Sequence, residues 1–142
     1  MIVHDSTDTN MQVSDILERK GRDVVTVRPG ATVQAAVATL AKRGIGAVVV
    51  SRDGRSIDGI LSERDLVRGI SRYGAEFLGR RVDEVTVHKV YTCAPTDDVH
   101  TAMAEMKRRK IRHLPVAVHG MLAGMVSAVD ILREHCLKQG WD

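Results

Sequence analysis

Two short stretches carry side chains whose types and spacing suit chemistry. "GILSERDLVRG", residues 59–69, and "GMVSAVDILRE", residues 124–134, each run from a glycine and two apolar residues into Ser-x-x-Asp. An apolar pair then follows, and after it Arg68 or Arg133. A carboxylate accepts two hydrogen bonds from adjacent hydroxyls in a fixed fork, so Asp65 and Asp130 are each suited to a pair of neighbouring hydroxyls. Ser62 and Ser127 stand where a helix should begin, and there the unpaired backbone N–H groups and the helix dipole favour an anion. The same spacing also builds a helix N-cap with an acid in the first turn, worth about 1 kcal/mol. The two jobs are compatible, because the serine can cap the helix while the aspartate faces a cleft. Both copies keep Ser, Asp and the later Arg while their neighbours differ, which favours a shared task, although common descent within one chain accounts for part of it.

The densest charge is "KRRKIRH", Lys107–His113. Lys107 to Lys110 sit where cations offset the C-terminal dipole of a helix, as a solvated basic end would. Arg112 and His113 differ, since they lie on the strand side of Ile111. The positions equivalent to them in the first copy are Gly46 and Ala47, which carry no charge. Arg64, inside "SERD", offers the first motif a cation that its counterpart Val129 cannot. His113 has no nucleophile or second acid at useful spacing, so no catalytic residue is assigned. The other histidines, His4, His88, His100, His119 and His135, lack ligand spacing, and no metal is expected. Cys93 reads as a buried small hydrophobe and Cys136 as an exposed thiol open to oxidation. "GIG" at 44–46 lacks a phosphate-loop pattern and suits close packing of helix and strand.

These residues are positioned by a unit written twice. Residues 24–50 lie on residues 90–116 without a gap, and nine of the 27 positions are identical: Val24/Val90, Thr26/Thr92, Pro29/Pro95, Val33/Val99, Ala36/Ala102, Ala38/Ala104, Arg43/Arg109, Ile45/Ile111 and Val50/Val116. After one deletion the match resumes, pairing Gly59 with Gly124, Ser62 with Ser127 and Asp65 with Asp130. The chain is an internal duplication. Each copy begins with a β-branched strand, "VVTV" or "VYTC", closed by Pro29 or Pro95. Val33, Ala36, Val37 and Leu40, and in the second copy Val99, Ala102, Met103 and Met106, then repeat at i, i+3, i+4 and i+7 as the stripe of an amphipathic helix. A buried strand, "GAVVV" or "LPVAV", a glycine turn, a further strand and a second helix complete a β-α-β-β-α unit. The predicted class is α/β (α+β), with helices on one face of each small sheet and the two copies packed on each other. The expected divisions are a flexible lead at 1–10, a first copy at 11–70, a linker at 71–81 and a second copy at 82–138.

With 142 residues, 44% of them hydrophobic, the chain can bury a core without cross-links or metal. Its aromatic content, one Trp, two Tyr and one Phe, gives no stacking platform for single-stranded nucleic acid. The net charge of +3 suits anionic small molecules and is modest for a nucleic-acid binder. Two cysteines without C-x-x-C spacing fit a reduced, cytoplasmic setting. The first residues are polar and acidic, and no apolar run approaches the roughly 18 residues of a membrane span.

The two β-α-β-β-α units, each ending in G-h-h-S-x-x-D-h-h-R, with "IRHLPV" before the second, resemble a tandem cystathionine-β-synthase (CBS) domain pair, or Bateman module, over residues 11–138. "SERD" in the first copy and "RHLPV" in the second are similar to the small stand-alone bacterial members. The resemblance implies a regulatory module without catalysis that binds an adenine nucleotide in clefts between the copies and acts on a separate, unknown partner. It implies AMP, ADP or ATP as ligand, with NAD(H) as the alternative, and a homodimer shaped as a flat disc. A further alternative is a protein-interaction subunit whose sites are vestigial. By the resemblance Asp65 and Asp130 hold ribose hydroxyls, and Ser62 and Ser127 hold phosphate or ribose. Thr26, Val27, Ile45, Gly46, Ala47, Cys93 and Pro115 lie around the nucleotide, and Arg112 and His113 reach its phosphates. The better phosphate site is expected where Arg64 and the Arg112/His113 pair converge, and the poorer one at Ser127 and Asp130. Apolar helix surface at Leu66, Val67, Ile70, Met103, Met106, Ile131 and Leu132 exceeds what one pair can cover, which supports the dimer.

Overall fold

The computed structural model describes residues 11–138, so the expected flexible lead at residues 1–10 lies outside the described residues. The architecture is α+β. In chain order come α1 (Val13–Lys20), β1 (Thr26–Val27), α2 (Val33–Arg43), β2 (Ala47–Val50), β3 (Gly59–Ser62), α3 (Glu63–Tyr73), a 3-10 helix (Gly74–Gly79), α4 (Val82–Val85), α5 (Val99–Arg109), β4 (His113–Val118), β5 (Met121–Ser127) and α6 (Ala128–Lys138). Among the described residues no helix is long and apolar enough to cross a membrane.

The first copy forms the expected β-α-β-β-α unit. β1 pairs in parallel with β2, which pairs antiparallel with β3, giving the sheet order β1-β2-β3. α2 starts where the Thr32 hydroxyl accepts from the Ala35 N–H at 3.1 Å, and it stops at Gly44, whose φ of 64° is the left-handed cap that a side chain resists. Val33, Ala36 and Leu40 are buried against Val48, Val50, Leu61 and Leu66. These are the predicted stripe and the inward residues of the strands.

The second copy departs from the expected plan at its first strand. Its sheet contains only β4 and β5, and "VYTC" contributes a single parallel bridge, Cys93 to Val116. The cause is Pro115. In the first copy the Val49 N–H donates to the Val25 carbonyl and the Ser51 N–H to that of Val27. Pro115 occupies the position equivalent to Val49 and has no N–H to donate, so the first of these ladder bonds is missing. The remaining bonds run from Cys93 N–H to the Pro115 carbonyl at 3.0 Å and from Ala117 N–H to the Cys93 carbonyl at 2.8 Å.

The chain also divides differently from the expected boundaries. Among the described residues, one compact unit comprises 24–90 with 120–122, and the other comprises 11–23 together with 91–119 and 123–138. Each copy therefore keeps a short helix that the duplication pattern did not include. α1 is bound to the second copy by three backbone bonds, Val13 N–H to the Asp97 carbonyl, Ser14 N–H to that of Pro95 and Val99 N–H to that of Met11, each at 2.9 Å. α4 is bound to the first copy by the equivalent three, Val82 N–H to the Ala31 carbonyl (2.8 Å), Asp83 N–H to that of Pro29 (3.0 Å) and Val33 N–H to that of Arg80 (2.9 Å). Val13, Ile16 and Leu17 are buried in the second core beside Val99, Ala102, Met106, Leu114 and Val126.

The segment 71–81, expected as a linker, is folded and packs on the first unit. Its first residues complete α3, and the 3-10 helix that follows turns Phe77 into the first core, over Gly69 of α3. A Cβ built on Gly69 would lie 2.1–2.4 Å from the Phe77 ring carbons, so the aromatic ring requires glycine there. At an open helical site Gly→Ala gains up to about 1 kcal/mol of helix propensity, whereas overpacking a filled core costs about 1–3 kcal/mol. The steric term should win here. Gly69→Ala is expected to lower the urea midpoint of unfolding, and Gly69→Ala/Phe77→Leu to recover part of the loss; an unchanged or raised midpoint for the single variant would contradict the contact.

Candidate functional site

The first Ser-x-x-Asp motif closes on itself. Ser62 ends β3 and is the N-cap of α3 in extended backbone. Its hydroxyl accepts from the Asp65 N–H at 3.2 Å, while the Ser62 N–H and O–H donate to Asp65 Oδ2 at 3.0 and 2.8 Å. The cap that was one reading of the motif is therefore present. Ala47 pairs with Ser62 across the sheet, and the Glu63 N–H donates to the Gly46 carbonyl at 2.9 Å. The fold thus joins Gly46, Ala47, Ser62 and Asp65. Arg64 lies exposed on the first turn of α3. Thr26 and Val27 stand one strand further across, paired with Val49 and Val50, and Ile45 packs against the first core.

The second motif has the same frame. The Ser127 N–H donates to Asp130 Oδ2 at 2.9 Å, and the Asp130 N–H donates to Ser127 Oγ at 3.1 Å. The Ala128 N–H donates to the Arg112 carbonyl at 3.0 Å, the counterpart of the bond to Gly46. Arg112 and His113 therefore stand beside Ser127 and Asp130 in one compact unit, and Arg64 belongs to the other. Cys93 and Pro115 are buried, and burial, with some help from Asp97, pushes the Cys93 thiol up to about 12. Cys93 is thus the small core hydrophobe expected of it.

The largest difference between the motifs comes from α1. Lys20, at its last residue, donates to Asp130 Oδ2 at 2.7 Å and to the Met125 carbonyl at 3.1 Å. One turn along α6, Arg19 Nε meets the buried Glu134 at 3.2 Å. Arg133 approaches the other oxygen of Asp130 at 3.7 Å. Asp130 is only 8% exposed, and burial alone would raise its pKa. The Lys20 ammonium and the Ser127 N–H outweigh that and hold it below the ordinary carboxylate range. Arg19, Lys20 and Glu134 were not singled out from the sequence. The signal that could have found them is Val13, Ile16 and Leu17 at i, i+3 and i+4, an amphipathic turn ending in a basic pair.

The basic run at the end of α5 is partly neutralised. Arg108 and Arg109 both pair with Glu105, and the Arg109 guanidinium also lies 4.2 Å over the Tyr91 ring. Among the described residues no group of three or more His, Cys, Asp or Glu could hold a metal ion. The exposed apolar helix surface is narrower than expected, because Leu66 and Met106 belong to the cores. Val67 and Ile70 remain exposed on α3, and Leu132 on α6 with Val129, which the reading of that surface had omitted.

The CBS domain family model matches this chain twice, at residues 13–72 and 82–135. The CBS domain-containing protein CBSX3, mitochondrial, of Arabidopsis thaliana is 31% identical over 129 residues, covering 85% of this chain and 63% of that protein. The chain spans less than two thirds of the length of the first relatives it matches. Among solved structures, the CBS-domain containing protein ATU1752 from Agrobacterium tumefaciens is 38% identical with a TM-score of 0.85, over 89% of this chain and 95% of that one. The CBS domain protein PAE2072 from Pyrobaculum aerophilum, solved in complex with AMP, is 27% identical with a TM-score of 0.76, over 89% of this chain and 99% of that one.

The depressed pKa of Asp130 has a signed consequence. The stabilisation it provides is complete above the unfolded carboxylate value of about 4 and is lost as pH falls through the lower folded value. Asp130→Asn should therefore cost about 1–3 kcal/mol near neutral pH and converge with the unaltered protein in strong acid. Urea unfolding at a series of pH values tests this, and a cost that is the same at every pH would contradict it.

Proposed function

The chain belongs to the CBS domain family, and from that premise we propose that it is a regulatory module that binds an adenine nucleotide at its Ser-x-x-Asp motifs and acts on a separate partner without catalysing a reaction. The observation that carries this reading is the first motif. Asp65 is held by the N–H and O–H of Ser62, both on Oδ2, beside the backbone of Gly46 and Ala47. A carboxylate fixed in this way keeps acceptor capacity on its other oxygen for a ribose hydroxyl. Arg64 on the adjoining turn supplies positive charge for phosphate. The AMP complex of PAE2072 supports the ligand class. AMP, ADP and ATP share the ribose that the motif addresses, as does the alternative ligand NAD(H).

The exposed apolar residues on α3 and α6 support a homodimer, since Val67, Val129 and Leu132 are each more than half exposed. Bound nucleotide would then shift the population of dimer geometries that a partner recognises. Calorimetry with AMP, ADP, ATP and NAD(H) tests the reading. We expect binding of at least one of them, weakened about tenfold or more by Asp65→Ala. No heat and no thermal shift with any of the four at millimolar concentration would overturn it. The dimer is tested separately by sedimentation, where Val67→Glu is expected to shift the protein toward monomer.

A further inference from the structure

We infer that Lys20 is a built-in occupant of the second Ser-x-x-Asp motif, so that a nucleotide reaches Asp130 only by displacing the last turn of α1. The inference rests on the nucleotide reading above and adds which residue decides whether the second motif is open. Its basis is the contrast between two copies of one frame. In the first, the Ser62 hydroxyl donates to Asp65 Oδ2 at 2.8 Å. In the second, the equivalent oxygen of Asp130 receives the Lys20 ammonium at 2.7 Å, beside the Ser127 N–H. The ammonium thus takes the place of the Ser62 hydroxyl on this oxygen, with a charge-assisted bond stronger than a neutral one, and the carboxylate that a ribose would have to reach is left only 10% exposed.

The occupant is secured but removable. Lys20 is the final residue of α1, ahead of the Gly21 cap. Its side chain is about one-third exposed, while that of Asp130 is 10% exposed. A second bond to the Met125 carbonyl and the neighbouring Arg19–Glu134 pair hold the turn in place. Deeper in the unit, Leu17 packs on Gly124, where an added Cβ would lie 2.9 Å from its methyl groups. The last turn of a helix is also the part that frays at least cost. Lys20 can therefore leave while Val13, Ile16 and Leu17 stay buried in the second core.

This role differs in sign from a purely structural ion pair. Removing a structural pair weakens ligand binding or leaves it unchanged, whereas removing an occupant strengthens it. The experiment is calorimetry with AMP in an Asp65→Ala background, so that the heat comes from the second motif. Asp65→Ala/Lys20→Met is expected to bind AMP at least about tenfold more tightly than Asp65→Ala alone. Asp65→Ala/Lys20→Arg, which keeps the cation, should gain nothing, and adding Asp130→Asn to the methionine variant should abolish the gain. Equal or weaker binding by the methionine variant overturns the inference, as does a gain that survives Asp130→Asn. If the unaltered protein itself binds no AMP, the nucleotide reading fails and this inference with it; if it binds AMP and Lys20→Met gains nothing, only the inference fails. Should circular dichroism show the methionine variant unfolded, the Asp65→Ala protein decides. Millimolar AMP should raise the acetylation of Lys20 by an amine reagent, read by mass spectrometry, and unchanged or reduced labelling overturns the inference.

Discussion

Three backbone hydrogen bonds, made twice, organise this chain. At each proline turn the loop carbonyls receive the first N–H groups of a short helix, and the helix that follows the turn returns a bond to the carbonyl two residues before that short helix. The first N–H groups of a helix have no partner within it. Here the carbonyls of Pro29 and Ala31, or of Pro95 and Asp97, take two of them. The bonds are individually modest, about 0.5–1.5 kcal/mol each, yet they set which helix accompanies which sheet. Because α1 is followed by the whole first copy before its own partner sequence arrives, each compact unit is complete only when segments far apart in the chain meet.

That constraint explains why the two Ser-x-x-Asp motifs, alike in sequence, sit in different surroundings. The helix docked on the first copy is one turn long and gives way to Thr86, whose hydroxyl donates to the Ile60 carbonyl and whose side chain crowds Gly59. The helix docked on the second copy runs on for another turn and places Leu17 over Gly124, then Arg19 and Lys20 over α6. At the position equivalent to Glu134 the first copy has Gly69, and Phe77 fills the space. One unit covers its last helix with an aromatic ring and the other with two ion pairs. The same frame thus has an apolar and a charged solution at one place.

Much of this was legible in the sequence, and the reasons for the misses are specific. The stripe of α2 and α5, the strands "GAVVV" and "LPVAV", and the capping geometry of Ser62 and Ser127 follow from local periodicity and from one side chain reaching three residues along. The failure of "VYTC" to pair as a strand was readable in principle, because Pro115 faces it, but only after the parallel register is known. The role of residues 71–81 was hidden by their polar composition, in which one phenylalanine carries the burial. Lys20 and Asp130 are 110 positions apart and belong to no repeat. Contacts of that kind depend on how elements assemble, and no local pattern encodes them.

The charge at Asp130 shows how such a contact can bear on function. A carboxylate this buried needs a compensating partner, since leaving it unpaired costs more than any single hydrogen bond returns. Lys20 meets that need in the structure described here. A ligand arriving at Asp130 must therefore supply comparable compensation, and two neutral hydroxyls supply less than an ammonium does. Arg133 at 3.7 Å is the cation placed to make up the difference, through the oxygen that Lys20 does not use. Arg133, one turn beyond Asp130, then has a physical reason to be there, as a second cation beside a buried aspartate.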